Sequence, residues 1–229
     1  AMGSHGGATA EGQIEILKYL GVEEETVGCP IVSSMSVTQV GKLDNGLLVW
    51  MDKAASEADG IVVINRIKPH SAFSGDYESG LVKMISVGLG KQKGAESCHT
   101  LGFQYMTKSI VEMANVCLRK KPILFGVAII ENAYDKVKDI IIVPSKNIID
   151  LEKKLLLEAK RNMPKLLIFP IDVLIIDQMG KEFSGSGIDP NITGRASTPW
   201  FTGGPEPKRM IVLDITNKSL GNASGIGLA

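Results

Sequence analysis

The chain holds only three histidines, His5, His70 and His99, and each lies near glycine or serine. Histidine titrates near neutrality, at about 6.5, so it can both give and take protons. His70 falls in Lys68-Pro-His-Ser-Ala-Phe-Ser-Gly75, after a proline at a strand end, where an imidazole cannot easily hide in a core. It reads as a catalytic or ligating group, or as a loop histidine with a capping role. Lys83 lies in an apolar run between Gly80 and Gly88. A desolvated lysine loses basicity and becomes a nucleophile or covalent anchor. The plainer reading is a packed stem with its amine in solvent. His99 follows Cys98, and adjacent side chains seldom converge on one ion. His99 alone suits nickel, copper or zinc, or is a surface residue on a loop. His5 sits in Met2-Gly-Ser-His5-Gly-Gly7, a loop whose N–H groups, feeding a helix start, suit anions. Ala-Met-Gly-Ser-His also matches the scar left by tag removal. Lys91 and Lys93 read as contacts to phosphate or solvent. No Gly-Lys-Ser/Thr ends the glycine loop and no GxGxxG follows a strand cleanly, which disfavours ordinary nucleotide sites.

These groups need a scaffold. Ile14, Leu17 and Leu20 recur at helical spacing, with Thr9 as N-cap and Gly21 as stop. Further helices are predicted over 52–58, 78–85, 109–120 and 148–161. The last has an apolar stripe of Leu151, Leu155, Leu156 and Ala159, and Pro164 stops it. Strands are predicted over 46–50, 61–65, 123–130, 171–176 and 210–215. Ile61-Val-Val-Ile-Asn65 and 171–176 read as strands buried on both faces. Alternating strands and helices imply an α/β fold with mostly parallel sheets flanked by helices. Glycine-rich loops follow the strands from Asn65 and from Asp177, and in such sheets ligands sit beyond the strands' carboxyl ends.

Composition sets outer bounds. The 229 residues include 25 Lys plus Arg and 25 Asp plus Glu, a formal net charge of zero, with 44% hydrophobic residues. That excludes a disordered chain and argues against general nucleic-acid binding. Three cysteines, Cys29, Cys98 and Cys117, lack metal-type spacing, which favours free thiols in a reducing, cytoplasmic setting. No stretch reaches the roughly 20 apolar residues of a membrane span, and no signal peptide is visible.

Gly3-Ser-His5 with Ala8-Thr-Ala-Glu11, then Ala55-Ser-Glu-Ala-Asp59, then His70, Phe73-Ser-Gly75, Lys83 and His99, resembles the lactate racemase family that uses a nickel-pincer nucleotide. The resemblance makes His5 native sequence. It implies that Lys83 forms the thioamide link to the cofactor (nickel plus a pyridinium-thioamide-thiocarboxylate mononucleotide), and that His99 ligates the nickel. His5 and His70 would flank a small 2-hydroxy acid as alternating acid and base, while hydride passes between its C2 and the pincer ring. The family's carboxylate-binding Gln and Lys do not align cleanly, and Lys181, Asn191 and Arg195 are the polar candidates for substrate binding. The implied architecture has two domains with the site in the cleft between them. Residues 1–165 would be the C-terminal portion of the N-terminal domain, and 166–229 the start of a second α/β domain. The chain then reads as a piece of a longer protein that lacks an upstream Thr-Arg-Pro type motif. The implied reaction is racemisation or epimerisation, with no nucleic-acid or membrane partner. Two rivals remain: a non-catalytic α/β anion- or nucleotide-binding domain, and a zinc hydrolase using all three histidines.

Overall fold

The computed structural model describes residues 5–229. Gly3 and Ser4 of the opening motif lie outside them. Helix α1 (Ala10–Tyr19) starts where the Thr9 hydroxyl accepts a hydrogen bond from the Gly12 N–H, at 3.1 Å. Gly21, at φ 74°, follows its end. A short α2 (Glu24–Val27) leads to β1 (Val37–Lys42) and β2 (Leu48–Asp52), an antiparallel pair. Asp52 then caps α3 (Lys53–Glu57) by accepting from the Ala55 N–H, at 2.9 Å. After β3 (Ile61–Arg66) come α4 (Leu81–Lys83), a π-helical turn over Met84–Gly88, and α5 (Lys91–His99). The remaining elements are α6 (Met106–Lys120), β4 (Ile123–Glu131), β5 (Val137–Pro144), α7 (Ile148–Asn162), β6 (Val173–Met179), α8 (Pro190–Thr193) and β7 (Arg209–Ile215).

The fold is α/β with helices flanking the sheets, but the sheets are mixed rather than mostly parallel. β3 pairs with β4 and β6 with β7 in parallel, whereas β1–β2 and β4–β5 are antiparallel. The β4–β5 hairpin turns through 132–136. Asn132 Oδ1 accepts from the Tyr134 and Lys136 N–H groups, and Asp135 adopts φ 54°. Asn and Asp tolerate such turns without glycine, which is why the sequence hides this one.

Nor are the apolar strands buried on both faces. Val62 and Ile64 of β3 are 44% and 58% exposed, and Ile175 of β6 is 60% exposed. Helices cover one face of the three-stranded sheet. Two apolar cores result. The larger joins Met51, Phe73, Leu81, Ile85, Ile110, Met113 and Ile148, drawn from β2, the loop after β3, α4, the π turn, α6 and α7. The smaller centres on Met179, Ile188 and Met210. Among the described residues no helix is long and apolar enough to cross a membrane.

The larger core encloses the segment that carries Lys83, so its packing is the scaffold of everything below. Met113 on α6 is fully buried. Replacing it by alanine removes buried thioether and leaves a void, at a cost of about 2–5 kcal/mol. Urea unfolding of Met113→Ala is expected to show a lower midpoint with an unchanged slope.

Candidate active site

The loop after β3 is pinched at its base. Lys68 and Ser79 exchange two backbone hydrogen bonds, of 2.9 and 3.1 Å. Inside the pinch lies the carboxylate of Glu78, itself 1% exposed. One oxygen accepts from the His70 N–H at 2.7 Å; the other accepts from the Gly75 N–H at 3.0 Å and from Lys160 Nζ at 2.6 Å. Backbone donors that a loop would otherwise leave unpaired are satisfied by one side chain. His70 is thereby fixed by its own main chain.

The His70 ring stacks at a tilt on Phe73, with centroids 4.4 Å apart. Phe73 faces Phe103 at 6.1 Å, and His99 meets Phe103 edge-on at 5.5 Å. Lys83 Nζ lies 6.0 Å from the Phe73 centroid, within reach of cation–π attraction. Two phenylalanines thus form a wall on which His70, Lys83 and His99 converge.

That wall sets the charges. Burial, then the charges of Lys83, His99 and Lys68, lowers the His70 pKa to about 3. The imidazole is neutral at physiological pH. His70 Nδ1 accepts from the Ala72 N–H at 3.1 Å, so the ring proton resides on Nε2. Burial lowers Lys83 to about 8, with Cys98 opposing and Lys68 assisting. His99, exposed at the end of α5, is lowered first by desolvation and then by Lys83.

Cys98 points away from chemistry. It is fully buried, donates to Met106 Sδ at 3.2 Å, and burial raises its pKa to about 11. Residue 99 lies at the end of a helix, not on a loop. The sequence missed α5 because its residues are largely polar and its buried stripe is only Lys91, Gly94 and Cys98.

Lys91 does not reach solvent or phosphate. It is 2% exposed, and its Nζ lies 2.9 Å from Gln13 Oε1 and 3.5 Å from Asp52 Oδ2. Gln13 Nε2 in turn donates to the His5 carbonyl at 3.2 Å. The exposed His5 is therefore tied through Gln13 to the first residue of α5, whose last residue is His99.

The later candidates divide. Asn191 Nδ2 donates to the His70 carbonyl at 3.2 Å, so Asn191 joins the His70 loop. The same stretch docks there again, with Thr198 Oγ1 on the Ala72 carbonyl and the Ser74 N–H on the Trp200 carbonyl at 3.0 Å. The Arg195 guanidinium is committed to the carbonyls of Pro207 and Lys208, both at 3.1 Å. Lys181 is exposed on a turn near Ser219. Neither is brought to the wall. Among the described residues no three or more of His, Cys, Asp and Glu gather to hold a metal, so the three-histidine zinc arrangement is not assembled.

Sequence reasoning passed over Phe103, Glu152 and Lys160, and gave Glu78 no role. Glu152 carried a visible signal. It stands four residues from Ile148 and from Leu156, on the buried stripe of α7, and a carboxylate there needs a buried donor.

Residues 1–109 match the family model of the lactate racemase N-terminal domain. No curated protein matches the chain. Among solved structures, the lactate racemase apoprotein from Thermoanaerobacterium thermosaccharolyticum is similar, at 18% identity and a TM-score of 0.49, covering 72% of this chain and 41% of that one. The chain thus spans less than half the length of that protein.

The neutral His70 has a thermodynamic signature. Its folded pKa, about 3, lies below the ordinary 6.5. Between those values the unfolded chain binds a proton that the folded chain refuses, so stability falls as pH drops through that window. The urea midpoint should decline less from pH 7 to pH 4 in His70→Gln than in the wild type. Equal declines would mean that residue 70 titrates normally in the fold.

Proposed function

We propose, from the match of residues 1–109 to the lactate racemase N-terminal domain, that the protein takes part in racemising or epimerising a small 2-hydroxy acid with a nickel-pincer nucleotide. The observation that carries the reading is the convergence of His70, Lys83 and His99 on the Phe73–Phe103 wall.

The residues suit that cofactor. Lys83, its amine lowered to about 8, has a larger neutral fraction at pH 7 than an ordinary lysine, as a covalent anchor requires. His99 is exposed and is the single imidazole at the end of α5. With no protein cage of three or more ligands among the described residues, a metal held at His99 must arrive with most of its donors, as nickel in a pincer does. When bound, the cofactor supplies the hydride acceptor.

The chain itself manages the proton and the substrate. His70 presents an Nε2–H toward the substrate hydroxyl or the ketone oxygen. Taking a proton at Nε2 requires the other tautomer, with Nδ1 protonated and turned off the Ala72 N–H. His5, held through Gln13 and Lys91, acts from the opposite face; racemisation needs a base on each side because the two enantiomers present the hydroxyl differently. Phe73 and Phe103 exclude water, which strengthens every charge inside. Asn191 is the substrate-side candidate of choice among the three, since it already bonds the His70 main chain. Residues 1–165 and 166–229, which hold the two separate apolar cores, form the two domains, and the site lies where the 190–202 segment meets the His70 loop. The free thiols, two of them buried, fit the cytoplasm.

Protein produced with the cofactor-synthesis enzymes should contain nickel and carry a mass adduct on the peptide that includes Lys83. His99→Ala should lose nickel and racemase activity together, by at least tenfold, in a screen across small 2-hydroxy acids with the complete enzyme. A non-catalytic anion-binding domain would hold its ligand undiminished in that variant.

A further inference from the structure

Both reactive residues of the wall are held from behind by one helix. Glu152 of α7 is 1% exposed, and its Oε2 accepts from the Val82 N–H at 2.8 Å. Val82 immediately precedes Lys83. The N-cap position of the short α4 is Gly80, which has no side chain to cap it, so the carboxylate from α7 does that work across 70 residues of sequence. Gly80 leaves the space: a Cβ there would lie 2.6 Å from the Glu152 carboxyl and 2.8 Å from Ile67 Cδ1. Asn65 Nδ2 fixes the same corner by donating to the Gly80 carbonyl at 2.9 Å.

Two turns further along α7, Lys160 reaches Glu78, the carboxylate that grips the His70 N–H. Residues eight apart fall on one face of a helix. Between them Leu156 and Ala159 pack into the larger core, which prevents the helix from rolling. Two further contacts tie α7 to the same loop: Tyr77 Oη donates to the Ile149 carbonyl at 3.0 Å, and Lys153 pairs with Asp76 at 2.9 Å.

We propose that α7 is the positioning element of the site, with Glu152 setting Lys83 and Lys160, through Glu78, setting His70. This rests on the reading that Lys83 and His70 carry the chemistry, though neither Glu152 nor Lys160 touches substrate or cofactor. The two links are separable. Glu152 acts on the helix start beneath Lys83, through the Val82 N–H. Lys160 balances a buried carboxylate that bonds the His70 loop at the His70 and Gly75 N–H groups. A buried carboxylate stripped of its counter-charge is strongly disfavoured, so loss of Lys160 loosens the grip on the His70 N–H.

The test is a crossed one, on the full chain without cofactor. Lys83 is followed by competitive acetylation across pH with peptide mass analysis, and His70 by its rate of carbethoxylation. Glu152→Leu, similar in size but without an acceptor, should move the Lys83 midpoint from about 8 toward the ordinary lysine value by a unit or more, with the His70 rate unchanged within twofold. Lys160→Met should raise the His70 rate at least threefold and leave the Lys83 midpoint in place. Glu152→Gln keeps a carbonyl acceptor and should restore wild-type behaviour at Lys83. Glu152→Asp withdraws the acceptor by one methylene and should give a smaller shift of the same sign, which carries the test if the leucine variant is unstable. Both variants disturbing both residues alike, or neither disturbing its own, would overturn the assignment. Failure of the functional reading shows separately, as a wild-type Lys83 that takes no adduct in the cofactor-loaded protein.

Discussion

The carboxylate of Glu78 gathers three donors from three places: the main chain at His70, the main chain at Gly75, and the ammonium of Lys160. A buried carboxylate is tolerable only when it is paired and hydrogen-bonded, so the site cannot lose one donor cheaply. That requirement turns a proline- and glycine-containing loop into a fixed surface. Phe73 is then held beneath the His70 ring, and Phe73 and Phe103 together become the floor against which Lys83 and His99 are placed.

The floor creates an electrostatic conflict that the fold resolves by keeping protons off. Lys83 lowers both histidines, and His99 and Lys68 lower His70 further. Two of these potential cations, Lys83 and His70, are largely withdrawn from the water that would screen them. The inexpensive state has neutral imidazoles and an amine that releases its proton more readily than usual. Cys98 adds no charge to this cluster: burial raises its pKa to about 11, so the thiol is protonated over the range in which the amine titrates.

Local rules carried the sequence reading far where local chemistry decides. Thr9 caps α1 and Asp52 caps α3 as their side chains allow. The α7 helix runs 148–162 against an expected 148–161, because its apolar stripe is long and uninterrupted. Reading failed where a partner distant in sequence decides. Ile61-Val-Val-Ile gives no sign that one face of β3 stays uncovered among the described residues. The β4–β5 turn uses Asn and Asp in place of glycine. Lys91 looks like a surface cation until Gln13 and Asp52 are brought to it. The wall was half visible: His70, Phe73, Lys83 and His99 stand out in sequence, but Phe103 and the two α7 residues acquire meaning only through contacts that span the fold.

The π-helical turn after Lys83 concerns length. Lys83 and His99 are sixteen residues apart. On one straight α-helix that interval is about 24 Å, with the two side chains on nearly opposite sides. Here the Leu89 N–H reaches back to the Met84 carbonyl at 2.8 Å, Gly90 comes so close to Gly94 that a Cβ on it would lie 2.7 Å from the Gly94 Cα, and Lys91 adopts φ 53°. The rod is broken there, and α5 starts in a new direction against β2. The two residues therefore behave as ends of a folded ruler, not as a motif with elastic spacing. One residue inserted into α5 would swing the imidazole about 100° around its axis, whereas loops elsewhere in the chain can lengthen without moving it.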